Sequence, residues 1–235
     1  MSSSKLVAFI LGAGTNIGTG LAAKLRENGY RVALGSRNPK PDADHEAYLN
    51  VKVDVQKRES IESAFDTVVS KLGPVNVVIY NAASLHLPPN DADFLSLTRE
   101  AFEESAAIAF GVLTAAQKAL VSFRQDVHRN DPKAFIVTGN VLPFDQYSPP
   151  KFYTLGAQKA LESRLVATAA KAYEPENIQF YFATMVSESG GIPPMDVFRK
   201  SGETHAKVYW DLINNKKQED WNHQFTADGK VFPHN

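Results

Sequence analysis

Short unbroken apolar runs, rich in β-branched and aromatic residues, recur along the chain at positions 6–11, 30–34, 51–53, 75–80, 134–138 and 178–183. Between them lie longer stretches where apolar residues return every three or four positions, as Ile17, Leu21, Ala22 and Leu25 do. A run without polar alternation suits a strand buried on both faces, and the regular exchange of such runs with helical stretches predicts crossover units. The expected fold is α/β, a doubly wound parallel sheet with helices on both faces in three α/β/α layers. Pro-bearing stretches at 37–44, 87–93 and 142–151 read as exposed loops.

The first unit carries the most chemistry. The run 6–11 ends in Gly12-Ala13-Gly14-Thr15-Asn16-Ile17-Gly18, after which helical spacing begins and continues to a stop at Gly29. The glycines allow a sharp turn, and the N–H groups at the start of the following helix are unpaired and carry partial positive charge. A phosphate anion placed there is stabilised by backbone alone, which points to a dinucleotide pyrophosphate; a plain tight turn is the bland alternative.

Ligands of such sheets lie outside the carboxyl ends of the strands, which gives weight to the residues just after each run. After the second run comes Gly35-Ser36-Arg37, with no acid to meet a ribose 2′-hydroxyl. Ser36 can donate a hydrogen bond and Arg37 a charge-assisted one to a 2′-phosphate, so NADP(H) is favoured over NAD(H); a surface arginine in a turn is the alternative. After the third run stands Asp54-Val55 and after the fourth Asn81-Ala82-Ala83.

Composition narrows the classes. The chain has 235 residues, 43% of them hydrophobic, enough for one core, and is read as one nucleotide-binding domain over 1–235. A formal net charge of −1 without a Lys/Arg block argues against nucleic-acid or anionic-membrane partners. With no cysteine there is neither a disulfide framework nor a thiolate zinc site, and no metal is expected. The apolar stretch between Lys5 and Gly12 is too short to span a bilayer, so a cytoplasmic protein is expected.

Taken together, these residues resemble the short-chain dehydrogenase/reductase family over about the first 180 positions. Gly12 to Gly18 is similar to its TGxxxGIG turn, with Asn16 in place of the middle glycine, Asp54-Val55 to its adenine-meeting pair, and Asn81-Ala82-Ala83 to its NAG motif. The resemblance implies a Rossmann fold, a nicotinamide cofactor held by Gly12, Asn16, Ile17, Gly18, Ser36, Arg37, Asp54, Val55, Asn81, Ala82, Ala83 and Lys159, and a small-molecule substrate. It further implies Ser, Tyr, Lys and a helper Asn, the tyrosine passing a proton while the nicotinamide passes hydride. Here Lys159 matches the lysine, but Leu155 stands at the tyrosine position, Asn140 at the serine and Ile108 at the helper asparagine. Thr184-Met185-Val186 replaces the Pro-Gly pair that passes the nicotinamide.

Lys159, Asn140 and Tyr153 are therefore the candidate catalytic residues. The Asn140 amide can donate to a carbonyl oxygen. Tyr153 precedes Lys159 by six residues and on a regular helix points about 120° away from it. It reads as a proton donor only through an irregular helix start near Gly156, and otherwise as a core or wall aromatic; Tyr147 is a further candidate. Leucine transfers no proton, so the expected activity is reduction of a carbonyl or imine on a small apolar substrate with NADP(H), an iminium carbon needing hydride alone. The alternative is an NAD(P)-binding sensor or scaffold without turnover. The segments FYTLGAQKAL, ETHAKVYWDL and WNHQF resemble a divergent fungal group in which LGxxK replaces YxxxK.

Positions 187–215 are expected to form a lid, with Phe198, Tyr209 and Trp210 facing Phe144, Tyr147, Phe152 and Met185 across an apolar pocket; ordinary core packing is the rival for each. His205 shares a helical face with Tyr209 and reads as structural. The family resemblance also implies a homo-oligomer, a dimer or tetramer, through the helices that begin near Glu100 and Tyr153.

Overall fold

Each apolar run is a strand in the computed structural model, which describes residues 6–39, 47–144 and 148–233. The strands are β1 (Val7–Leu11), β2 (Arg31–Ser36), β3 (Leu49–Lys52), β4 (Val77–Tyr80), β5 (Ala134–Thr138), β6 (Gln179–Met185) and β7 (Gln224–Phe225). They form one sheet in the order β3-β2-β1-β4-β5-β6-β7, every neighbouring pair parallel. The chain winds outward from β1 to β3, then returns to lay β4 against β1, so the direction of winding switches between β1 and β4. This is the doubly wound, Rossmann-type arrangement, and the switch opens a crevice at the carboxyl ends of those strands. The pair β6–β7 goes beyond the pattern of apolar runs, because a two-residue strand carries no periodicity to recognise.

The helices are α1 (Ile17–Glu27), α2 (Arg58–Leu72), α3 (Arg99–Phe123), α4 (Tyr153–Tyr173), α5 (Met195–Phe198) and α6 (Gly202–Asn214). Alternate residues of β1 divide between the two faces: Val7, Phe9 and Leu11 join a cluster with α2, α3 and α4, while Ala8 and Ile10 join one with α1 and α6. All five are fully buried, which is why the run shows no polar alternation. The loop reading of 142–151 gives way at its end to a single 3-10 turn, Pro150–Phe152, which leads into α4. Thr98 Oγ1 accepts from Ala101 N at 3.2 Å and caps α3, whose length and apolarity would suffice to cross a membrane. Its inner face, with Ile108, Val112, Ala115 and Phe123, is packed on the sheet.

Helices α1 and α6 cross at close range. A Cβ on Gly20 would lie 2.5 Å from Gly202 O, and one on Gly202 would lie 2.7 Å from Asn16 O, so at this crossing backbone meets backbone. Gly20→Ala is expected to force the helices apart and cost about 1–3 kcal/mol, read as a lower denaturant midpoint at unchanged m-value. A midpoint equal to the wild type would contradict the close approach.

Candidate functional site

The turn between β1 and α1 is fixed by its neighbours on both sides. Gly12 has φ +86°, and a Cβ there would lie 2.6 Å from Ala82 N, so only glycine fits. Gly12 N and Ala13 N both donate to Gly35 O, at 2.9 and 3.1 Å, and Asn81 Nδ2 donates to Gly12 O at 2.9 Å. Gly18 lies so close to Ala13 that a Cβ would meet its backbone at 2.8 Å. Gly14 is different: nothing stands within 4 Å of where its Cβ would be, and the open space is the mouth of the crevice.

The electrostatics of this turn suit an anion. Asn16 occupies the N-cap position of α1 but gives the helix no side-chain cap, and the first turn holds no acidic residue. Its carboxamide is turned outward instead, Nδ2 donating to Phe198 O at 2.8 Å and Oδ1 accepting from Gly202 N at 2.9 Å. No side-chain cap therefore offsets the partial positive charge of the first-turn amides beside Gly14. A pyrophosphate fits this cradle, with backbone N–H groups as its donors.

At the far end of β2, Ser36 is half-buried and Arg37 exposed, with no ion pair to Arg37 among the described residues. Asp54 is held by its own turn: Asp54 N donates to Ser60 Oγ at 2.9 Å, and its Oδ1 accepts from Gln56 N at 3.2 Å. Val55 comes next in that turn, half-buried against the α2–α3 core cluster.

Around Lys159 the side chains form one connected network. Lys159 is buried, and its Nζ donates to Thr138 O at 2.9 Å and to Glu162 Oε2 at 2.7 Å. Gln158 Nε2 donates to the other oxygen, Glu162 Oε1, at 2.7 Å. Thr138 Oγ1 donates to Asn81 Oδ1 at 2.9 Å and accepts from Tyr209 OH at 3.0 Å, which ties the motif after β4 to the end of β5. Burial raises the Glu162 carboxyl above the ordinary range, against the opposing pull of the Lys159 ammonium and the Gln158 hydrogen bond. Glu162 escaped sequence reasoning, although its place three residues after Lys159 put it on the same helical face.

The candidate catalytic residues do not all converge. Lys159, Asn140 and Leu155 line the crevice. Asn140 Oδ1 accepts from Leu142 N at 3.1 Å, leaving its Nδ2 with no hydrogen-bond partner among the described residues. Tyr153 is half exposed on the outer side of α4, stacked on Phe102 at 5.6 Å and edge-on to Phe94 at 5.6 Å. Tyr153 is the first residue of α4, directly after the 3-10 turn, and it does not line the crevice with Lys159 and Asn140. Tyr147 lies outside the described residues. Ile108 is a core residue whose carbonyl accepts from Tyr80 OH at 2.7 Å.

The crevice has a volume of about 470 Å³. Gly14, Asn16, Asn81 and Thr138 line it together with Phe152 from the 3-10 turn, Leu155 from the first turn of α4, Met185 at the end of β6, and Ile192, Met195 and Phe198 from the segment after β6. Within 187–215 it is thus the α5 part that meets the crevice. Tyr209 is fully buried under the sheet, Trp210 packs edge-on to Tyr30 at 6.3 Å, and Phe144 packs on Phe182 and Trp221. For Tyr209 and Trp210 core packing prevails over the pocket, because α6 is occupied by α1 and the sheet; Phe144 is an exposed ring that does not line the crevice. His205 is buried among Phe198, Tyr209 and Phe225, with Nδ1 2.9 Å from Ser201 O.

Comparison with known proteins agrees with the fold. A family model described as enoyl-(acyl carrier protein) reductase matches residues 12–183. The short chain dehydrogenase/reductase dmxR12 of Cryptosporiopsis sp. (strain 8999) is 30% identical over 229 residues, covering 93% of this chain and 90% of the relative. A short-chain type dehydrogenase/reductase from Mycobacterium marinum superposes with a TM-score of 0.78 at 18% identity, over 97% of this chain and 96% of that one. A 3-ketoacyl-(acyl-carrier-protein) reductase from Brucella melitensis, complexed with NADH, superposes with a TM-score of 0.76 at 20% identity, over 97% and 98%. These two structures speak for the fold.

Proposed function

The chain belongs to the short-chain dehydrogenase/reductase family, and from that premise we propose that it is an NADP(H)-dependent oxidoreductase acting on a carbonyl or imine carbon of a small apolar substrate. One observation carries the reading: the uncapped glycine turn, Lys159 and Asn140 line a single crevice whose remaining lining is mainly apolar. When bound, the nicotinamide cofactor supplies or accepts the hydride. The chain's part is to hold and orient. The turn from Gly12 to Gly18 takes the pyrophosphate on its amides, with Asn16 and Ile17 at the head of α1. Ser36 and Arg37 take a 2′-phosphate, Asp54 and Val55 the adenine, and Asn81, Ala82 and Ala83 the edge of the cofactor beside β4.

Lys159 spends two of its three N–H bonds on Thr138 O and Glu162. The third is left for a ribose hydroxyl or a substrate oxygen. Asn140 Nδ2 donates to a substrate oxygen and stabilises charge gathering there. Leu155 keeps the wall dry and moves no proton, which suits an iminium carbon. We assign the LGxxK pattern to a divergent fungal branch of the family, the segment around α5 to a substrate lid within one domain, and the location to the cytoplasm. Phe110 and Leu113 on α3 and Leu161 on α4 are exposed apolar side chains, and we assign this face to a homodimer.

A second reading, cofactor binding without turnover, is favoured by Leu155 in the wall and by the engagement of Lys159 with Glu162. Calorimetric titration tests both readings at their root: NADPH should bind more tightly than NADH. Arg37→Asp should weaken NADPH more than NADH by about 1.5–3 kcal/mol, the worth of a charged hydrogen bond. Equal losses for the two cofactors would refute the 2′-phosphate assignment. NADPH consumption across a carbonyl and imine panel, abolished by Lys159→Ala, selects the enzyme; tight binding with no consumption selects the second reading.

A further inference from the structure

Asn16 stands where the glycine turn would need no side chain, and it uses both ends of its carboxamide on residues far away in sequence. Nδ2 donates to Phe198 O at 2.8 Å, the last carbonyl of α5, and Oδ1 accepts from Gly202 N at 2.9 Å, the first amide of α6. Phe198 O also accepts from Ser201 Oγ at 2.7 Å, so the short link between α5 and α6 closes on itself around this acceptor. Gly202 carries no side chain, and a Cβ there would strike Asn16 O at 2.7 Å, which leaves the link no room to slide along the turn. Phe198 and Met195, immediately before the link, line the crevice that Leu155 also lines.

We propose that Asn16 is a positioning residue that locks the substrate-side wall, α5, to the phosphate-binding turn, so that filling the turn tightens the wall. This rests on the dinucleotide reading above. The physical argument is economy of motion. The Asn16 carboxamide projects from the same turn, Gly12 to Gly18, whose backbone N–H groups take the anion, and it holds both ends of the α5–α6 link. An anion that orders the turn therefore orders the link with no intermediary, and the wall is set before a substrate arrives. A hydrogen-bonded tether of this kind transmits order only while both of its bonds exist, so removing the carboxamide should separate the two sites without dismantling either.

The test is hydrogen–deuterium exchange on the full chain, with and without NADPH, for the wild type and Asn16→Ala. In the wild type NADPH should slow exchange both at 12–18 and at 195–202. In Asn16→Ala, exchange at 195–202 should rise about tenfold without cofactor, and NADPH should still protect 12–18 but no longer 195–202. Protection of 195–202 by NADPH at the wild-type level in Asn16→Ala would overturn the proposal while leaving the dinucleotide reading intact. Failure of NADPH to protect 12–18 in the wild type would overturn both. Should Asn16→Ala not fold, Asn16→Asp serves, read without cofactor: it keeps the acceptor for Gly202 N and loses the donor to Phe198 O. Faster exchange at 195–202 supports the lock, and unchanged exchange refutes it.

Discussion

Glu162→Ala should destabilise the protein by about 3–5 kcal/mol, because it leaves the Lys159 ammonium buried with only Thr138 O as a partner. Glu162 is itself fully buried, and each of its carboxylate oxygens receives a hydrogen bond at 2.7 Å, from Lys159 and from Gln158. Glu162→Gln keeps the shape and some of those bonds and should cost less, roughly 1–3 kcal/mol. Urea unfolding at neutral pH, compared at equal m-value, measures both. The double substitution Lys159→Met with Glu162→Leu should recover much of the loss, since matched apolar groups remove the desolvation cost of the pair. An alanine variant within about 1 kcal/mol of the wild type would show that the pair is not held as described. The raised carboxyl of Glu162 means that burial outweighs the attraction of its partner. Such a pair is poor stabilisation and good placement: it fixes Lys159 Nζ at the crevice wall.

Acid should weaken the fold through His205. Burial lowers its pKa to about 4, opposed only in part by the hydrogen bond to Ser201 O. In the unfolded chain the ring takes up a proton near pH 6.5, whereas the native site refuses it down to about 4, so the unfolded state binds more protons over that window. Stability contributed here is complete above about pH 6.5 and falls by about 3 kcal/mol as pH drops to about 4. His205→Gln, which retains a donor for Ser201 O, should lose stability at neutral pH and narrow its gap to the wild type as the solution is acidified. Denaturant midpoints for both proteins at several values between neutral pH and about pH 4 supply the measurement, and parallel pH slopes would exclude His205 as the source.

The first βα unit was legible in the sequence because every determinant is local: five buried strand residues, glycines for the turn, and helical spacing directly after. The parallel sheet with helices on both faces followed from the alternation of strand and helix. What escaped reading was set by contacts distant along the chain. Asn16 looked like a damaged glycine motif, and its partners lie 182 and 186 positions away. Tyr209 and Trp210 sat on an amphipathic helix that could equally have faced a pocket, and packing of α6 on α1 decided for the core. Glu162 carried the right spacing, but a carboxylate inside a helix ordinarily signals a solvated face.

The crossing of α1 and α6 also sets an order of assembly. The turn built from Gly12 to Gly18 is synthesised well before the backbone it rests on, from Phe198 to Gly202, whose contacts with Asn16 span 182 and 186 positions. Co-translational folding can form the early strands, but the glycine turn stays unbraced until residues 198–202 have been made, a contact of long sequence separation that slows its completion. A nascent chain stalled before residue 198 should therefore hold its first strands and lack the brace on the turn from Gly12 to Gly18.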